Sequence, residues 1–296
     1  MTPEAIRHLL LVNPSAGSGR ARSRMPEIER AMREHALLYR VVETTGIEHG
    51  CQEATAAAGG GEIPVVVSGD GLVGGVGGAL AGGEMPLGIL PGGRGNDLAR
   101  VLGIPSEPAA AVAVLAAGSR RRIDVGEVNG KRFLCIASCG FDSDANRIAN
   151  ETKLIRGPLV YAYAALLALA RWKPARFTIT LDGVERSFSG YSVALANSKA
   201  YGGGMFVAPR ADLGDGMFDV ITTGHVSKRR FVANIPKVFK GTHLEEPEVE
   251  YGRARSVTVA ADRPFAIYAD GEHLTDLPAT ASVLPGALEL IVPAAA

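Results

Sequence analysis

Short apolar runs recur along the first third of the chain, separated by stretches of mixed character. "HLLLV" (8–12), "YRVVE" (39–43), "PVVVS" (64–68) and "PLGIL" (86–90) are rich in aliphatic or β-branched residues and bounded by turn formers, so they predict strands. Helices are expected through about Glu34, near 48–58, 72–81 and 96–103, and at 107–117. Strands alternating with helices predict a parallel sheet covered by helices. Such sheets bind ligands at the carboxyl ends of their strands.

After Arg122 the rhythm changes. "RIDVGEVNGKRFLCIAS" (122–138) predicts two strands joined through Asn129-Gly130, a strong hairpin signal. "ARFTITLDGVERSFSGYSVALAN" (175–197) repeats that form around Asp182-Gly183. Further strands are expected at 256–261, 264–271 and 281–293, and helices near 141–150, 158–171 and 228–240. The fold class predicted is an α/β domain with a parallel sheet, residues 1–124, followed by a β-rich antiparallel, sandwich-like domain, residues 125–296. The strand at 281–293 is a candidate to return to the first domain.

Composition adds little to this picture. The 296 residues are 47% hydrophobic and 21% charged, enough for one large or two medium domains. Formal net charge is zero, so no nucleic acid partner is expected and any anion site must be local. Three cysteines argue against a disulfide framework and for a reducing compartment. Cys135 and Cys139 fall on one face of an expected strand and are assigned to core packing, since no nearby His completes a metal-ligand set. The N-terminus has no signal core, and the longest uncharged stretch, 157–170, is shorter than the roughly 20 residues needed to span a bilayer. A cytoplasmic protein is expected.

Candidate chemistry lies in three glycine-rich turns, each after an expected strand. "NPSAGSGR" (13–20) exposes backbone N–H groups and leads into a helix carrying Arg20, Arg22 and Arg24, an arrangement suited to an anion. "SGDG" (68–71) and "PGGRGNDLAR" (91–100) follow the third and fourth runs, with Asn96 or Asp97 able to cap the next helix. Residues 69–74 match G-x-G-x-x-G, but the strand that follows lacks the acid that a dinucleotide ribose requires. No turn carries the Gly-Lys-Ser/Thr of a P-loop. Asp70, inside a phosphate-type turn, makes sense if it holds a cation or takes a proton from an attacking hydroxyl.

"NPSAGSG", "SGDG", "PGGRGNDLAR" and "DGE" (270–272), in this order, resemble the diacylglycerol kinase catalytic-domain superfamily, closest to its soluble bacterial lipid kinases and related to sphingosine and ceramide kinases. The resemblance covers nearly the whole chain. It implies a nucleotide-binding domain like that of phosphofructokinase or NAD kinase, a β-rich second domain, and ATP between them. It assigns nucleotide contacts to Asn13, Ser15, Gly17, Thr44, Ser68, Gly69, Gly71, Gly93, Arg94, Gly95 and Asn96. It makes Glu272 the proton acceptor, with Asp70 positioning Mg²⁺ or sharing that role. It also likens "PRADLGDGMFDV" (209–220) to a structural-magnesium loop, with Asp215 as side-chain ligand and Asp212 and Met217 contributing.

The chain departs from the family pattern at Leu72, Gly75 and Arg94, which stand where a threonine, a glutamate and a threonine or serine are usual. Arg94 brings a positive charge that a hydroxyl cannot. "SKRRFVANIPKVFKGTH" (227–243) is basic and amphipathic, with a break or kink expected near Pro236, and is a candidate for transient peripheral membrane contact. The expectation is an ATP- and Mg²⁺-dependent kinase of a lipid hydroxyl, diacylglycerol or a related lipid, with a homodimer left open. Two alternatives remain: a kinase of a soluble substrate such as NAD, and a non-catalytic nucleotide- or lipid-binding protein.

Overall fold

The computed structural model describes residues 7–152 and 159–294. The start of the chain and residues 157–158, on which part of the reading above rests, lie outside the described residues.

The first unit is a four-stranded parallel sheet in the order β2-β1-β3-β4, made of β1 (Arg7–Val12), β2 (Leu38–Glu43), β3 (Ile63–Ser68) and β4 (Gly88–Pro91). The middle strands β1 and β3 are almost wholly buried, which is why they read as unbroken apolar runs. Five helices cover the sheet: α1 (Arg20–Glu34), α2 (Ile47–Gly59), α3 (Asp70–Leu80), α4 (Asp97–Val101) and α5 (Pro108–Ala117).

Helix α3 starts at Asp70, earlier than expected, and contains five glycines. Each glycine costs a helix about 1 kcal/mol. Close approach offsets this: a Cβ on Gly75 would lie 2.4 Å from the Ile47 side chain of α2, and one on Gly77 would lie 2.5 Å from Leu134. A side chain at Gly75 would therefore have to displace Ile47.

The second unit is an eleven-stranded antiparallel sheet. Its strands are β5 (Arg120–Val128), β6 (Lys131–Phe133), β7 (Ile136–Gly140), β8 (Ala175–Leu181), β9 (Val184–Ala196), β10 (Phe218–Gly224), β11 (Val249–Ala254), β12 (Ser256–Ala261), β13 (Ala266–Ala269), β14 (Glu272–Asp276) and β15 (Ala279–Ile291). Helices α6 (Phe141–Glu151), α7 (Leu159–Arg171) and α8 (Lys228–Lys240) accompany it. Both expected hairpins form, with positive φ at Asn129, Gly130, Asp182 and Gly183, as turns matched to strand twist require.

Three expectations need correction. The stretch 122–138 spans three strands, not two, because the Leu134 and Cys135 amides turn away to the Asp270 carboxylate. Helix α8 runs unbroken through Pro236. Strands β10, β11 and β14 were not expected at all; β10 pairs with both β9 and β11, and β14 with β13.

Two cores result. One is shared by the parallel sheet, its helices, Leu134, Ile136 and the end of β15. The other is an aromatic cluster under the antiparallel sheet, built around Phe177, Tyr191, Phe218 and Trp172. Strand β15 pairs with β5, then runs beside Leu87, whose N–H donates to Glu289 O at 2.9 Å and whose carbonyl accepts from Ile291 N at 3.0 Å. Cys135 and Cys139 are both buried, one in each core.

Candidate active site

The three glycine turns meet at the carboxyl ends of β1, β3 and β4. A Cβ on Gly17, which has φ 61°, would stand 2.6 Å from the Gly92 carbonyl oxygen, and one on Gly93 would stand 2.3 Å from the Gly69 Cα. Only glycine permits backbones to come this close. The contact is clasped by side chains. Arg20 donates to the Gly93 carbonyl at 3.0 Å, and Arg94 donates to the Ser18 hydroxyl at 2.5 Å. Asn13 closes its own turn by accepting from the Ser15 N–H and hydroxyl.

Several polar groups expected to face a ligand are already engaged. Arg24 donates to the Pro91 and Ser106 carbonyls, and Arg22 pairs with Glu43 at 3.7 Å. The arginines of α1 thus brace the turns. Thr44, beyond β2, is buried, and its hydroxyl donates to the Val12 carbonyl. Asn96 sits at the N-cap of α4 without capping it; its amide group instead clasps Gly93, accepting from the N–H and donating to the carbonyl. Ser68 is buried at the end of β3.

The cap of α4 comes from across the site. Asp70 Oδ1 accepts from the Asp97 N–H at 2.7 Å and the Leu98 N–H at 3.4 Å. Its other oxygen faces Gly95, where a Cβ would come within 2.7 Å. Burial, then the neighbouring Asp97 charge, raises the Asp70 pKa against these amide bonds. Asp97 is itself buried between Arg100 and the Gly203 N–H, each at 2.7 Å. Asp270, of the "DGE" turn, is held by the Leu134 N–H at 2.8 Å and the Cys135 N–H at 3.1 Å, and burial pushes its carboxyl up to about 6. With Asp270 in the left-handed region, φ 51°, and Gly271 at φ 92°, the turn delivers Glu272, exposed, beside the first turn of α3. Its Oε1 lies 3.9 Å from where a Gly71 Cβ would be.

Residues 7–128 match the family model of the diacylglycerol kinase catalytic domain, and residues 135–292 that of the YegS C-terminal NAD kinase beta sandwich-like domain. A diacylglycerol kinase of Mycobacterium tuberculosis is 38% identical over 247 residues, covering 81% of this chain and 80% of that protein. The chain belongs to the diacylglycerol kinase catalytic-domain family. A Pseudomonas aeruginosa protein named "Probable lipid kinase YegS-like" is 32% identical, covering 97% of this chain and 94% of its own. The crystal structure of a Bacillus anthracis diacylglycerol kinase superposes with a TM-score of 0.76 at 21% identity, covering 99% of both chains, a likeness of fold. Family membership makes the chain a lipid kinase of the diacylglycerol kinase type, with ATP as phosphoryl donor.

Two further regions matter to such a kinase. In the loop likened to a magnesium site, Asp215 accepts from the Met217 N–H at 3.0 Å and forms an ion pair with Arg253, while Asp212 pairs with Arg121 at 2.9 Å. The buried acid beside them, Asp124, accepts from the Gly216 and Gly286 N–H groups. Arginines and amides thus already neutralise the loop's carboxylates, and these residues do not fit a cation as they stand.

The second region is a cavity of about 380 Å³ between α6, α8 and the β9–β10 face. Its wall is mainly carbon, with Phe141, Phe231, Ile235 and Val238 prominent. Tyr201, Gly202 and Met205 close one side, and the adjoining Gly203 N–H is the one bonded to Asp97. The cavity and the phosphate loops therefore share one five-residue turn. Val232, Ile235 and Phe239 of α8, with Tyr163 and Leu166 of α7, stand exposed nearby.

Proposed function

We propose that the protein transfers the γ-phosphoryl group of ATP to the hydroxyl of diacylglycerol or a related lipid, with Glu272 and Asp70 as the acids that serve the reaction. The observation that carries this reading is the convergence of three glycine turns around Asp70, with Glu272 beside Gly71. The turns offer N–H groups and close backbone approach to a polyphosphate, a preorganised setting for phosphoryl transfer. The lipid oxygen bonds to the γ-phosphorus, the bond to the bridging oxygen breaks, and ADP leaves. Glu272, exposed and without a hydrogen-bond partner among the described residues, is available to take the hydroxyl proton.

Asp70 suits a divalent cation entering with ATP, because a positive charge would offset the burial and the Asp97 repulsion that raise its pKa. Mg²⁺ there would neutralise charge on the transferring group.

The cavity suits an acyl chain, and the exposed apolar residues of α7 and α8 suit contact with the membrane that supplies it. On α8, Arg230 is taken by Glu248 at 2.7 Å and Lys237 by Glu246 at 2.5 Å, while Lys228 donates to the Ala170 carbonyl. Arg229 and Lys240 have no ion pair among the described residues and remain for anionic headgroups.

Labelled ATP incubated with the protein and a total lipid extract tests the reading. A labelled, organic-soluble phospholipid, formed only with both components, is expected. Label transferred to NAD, or ATP bound with no transfer to any lipid, would overturn it.

A further inference from the structure

Three carboxylates around the site are held by donors: Asp97 by Arg100 and Gly203, Asp124 by Gly216 and Gly286, Asp270 by Leu134 and Cys135. Asp142, the second residue of α6, is different. Among the described residues no hydrogen bond or ion pair reaches its carboxylate. It is partly buried in the cavity wall, and burial pushes its carboxyl up to about 6. Asp144, two residues on, has Arg147 at 3.8 Å and Arg263 at 3.9 Å.

Asp142 lines the apolar cavity, together with Asn146 and Tyr201. Among the described residues no Lys or Arg lines that cavity. Its titratable neighbours offer no cation either. The Cys139 thiol of β7 and the Tyr201 phenol are both pushed up, by burial first and then by the Asp142 charge. His243 and Glu248 also line the cavity; burial lowers the pKa of the first, and the second is an acid. An ionised carboxylate in such a wall is costly unless something pairs with it. None of the described residues does, which leaves the place to a partner that enters with the ligand.

We propose that Asp142 pairs with a donor on the lipid head other than the hydroxyl that takes the phosphate, a second hydroxyl or an amide or amine N–H, and so selects lipids that carry one. The proposal rests on the lipid-kinase reading for its ligand. The reacting hydroxyl has its own acids, Asp70 and Glu272. The 201–205 turn joins the two regions, since Tyr201 stands beside Asp142 in the cavity wall and the Gly203 amide bonds Asp97. A 1,2-diacylglycerol head has no second donor; a monoacylglycerol or a ceramide does.

Trp172, the chain's one tryptophan, packs edge-on against the cavity residue Phe141 at 5.9 Å and reports occupancy without turnover. The full-length protein is titrated with detergent micelles doped with dioleoylglycerol, monooleoylglycerol or a C18 ceramide, following Trp172 emission, and phosphorylation of each is measured in parallel. The wild type should bind the donor-bearing lipids at least about tenfold more tightly than dioleoylglycerol, since a buried acceptor left unpaired is penalised. Asp142→Asn should reduce that preference to within about threefold with ATP affinity unchanged, and Asp142→Glu should keep part of it. Equal affinity for the three lipids in the wild type, or a preference that survives in Asp142→Asn, would overturn the proposal. Binding preference intact with no turnover on any lipid would instead overturn the kinase reading and leave the Asp142 assignment standing.

Discussion

The Cα of Gly69 lies 2.3 Å from the point a Cβ on Gly93 would occupy, so the turn after β3 and the turn after β4 touch through backbone alone. Neither turn can yield to a methyl group without opening the site. Gly93→Ala should weaken ATP binding at least about tenfold and cost about 2 kcal/mol of stability, the scale of overpacking in a tight interior. Gly59→Ala, at a glycine with nothing within 4 Å, should do neither. Nucleotide titration and thermal melts of the two variants check this.

Asp70 and Glu272 should separate by their effects. Asp70→Asn keeps an oxygen for the α4 amides, so the fold should survive while phosphoryl transfer falls at least about a hundredfold. Asp70→Ala should in addition lose the cap, about 1 kcal/mol in a melt. Glu272→Gln should lower kcat far more than it weakens ATP binding, and should remove the acidic limb of the pH–rate profile. Should Glu272→Gln keep kcat and that limb, Asp70 becomes the base.

The 209–220 loop has arginines where a cation was expected. In nucleotide-free protein the melting temperature should therefore be the same in Mg²⁺ and in EDTA. Arg253→Gln should destabilise the loop, because Asp215 then loses its ion-pair partner. A clear Mg²⁺-dependent rise in the wild type would restore the loop as a metal site.

Membrane contact through α8 makes a narrower claim than its count of basic residues suggests. Arg230 is tied to Glu248, so changing it would damage the fold. Arg229→Glu with Lys240→Glu should weaken co-sedimentation with anionic vesicles, about 1 kcal/mol for each basic residue lost, and salt should mask the difference. Phe239→Ala should weaken binding to neutral vesicles as well. Unchanged co-sedimentation at low salt would return α8 to an ordinary solvent-facing helix.

Asp142 also predicts a pH signature. A carboxyl raised in the folded state binds its proton more tightly there, so its contribution to stability is fullest below about pH 4 and is lost as pH rises through about 6. Asp142→Asn should thus melt higher than the wild type at pH 7.5, by up to ~3 kcal/mol, and nearly level with it at pH 4. Melts at the two pH values check the sign.

The phosphate-binding half was legible because its signals are local. Each glycine turn directly follows a strand, and "HLLLV" and "PVVVS" are continuous runs because β1 and β3 are covered on both faces. What stayed hidden depends on distant partners. Asp270 and Leu134 are far apart in sequence, so nothing local marks 134–135 as a strand break. Arg253 and Asp215 lie on different segments, and a turn rich in Asp and Gly reads as a cation loop until the arginine is seen. The cavity is assembled from α6, α8, β9, β10 and the 201–205 turn, and Asp142 has the look of an ordinary first-turn helix acid until its surroundings close.

Strand β15 sets the order in which the molecule comes into being. Leu288, Leu290 and Ile291 belong to the interior of the nucleotide-binding half, and Leu290 lies beside Leu87. On the ribosome, the four parallel strands emerge long before 288–291 do. Until then the nascent half-enzyme shows an unfilled apolar seam to chaperones and proteases, and a chain whose synthesis stalls ahead of β15 leaves its catalytic loops on a scaffold without one of its walls.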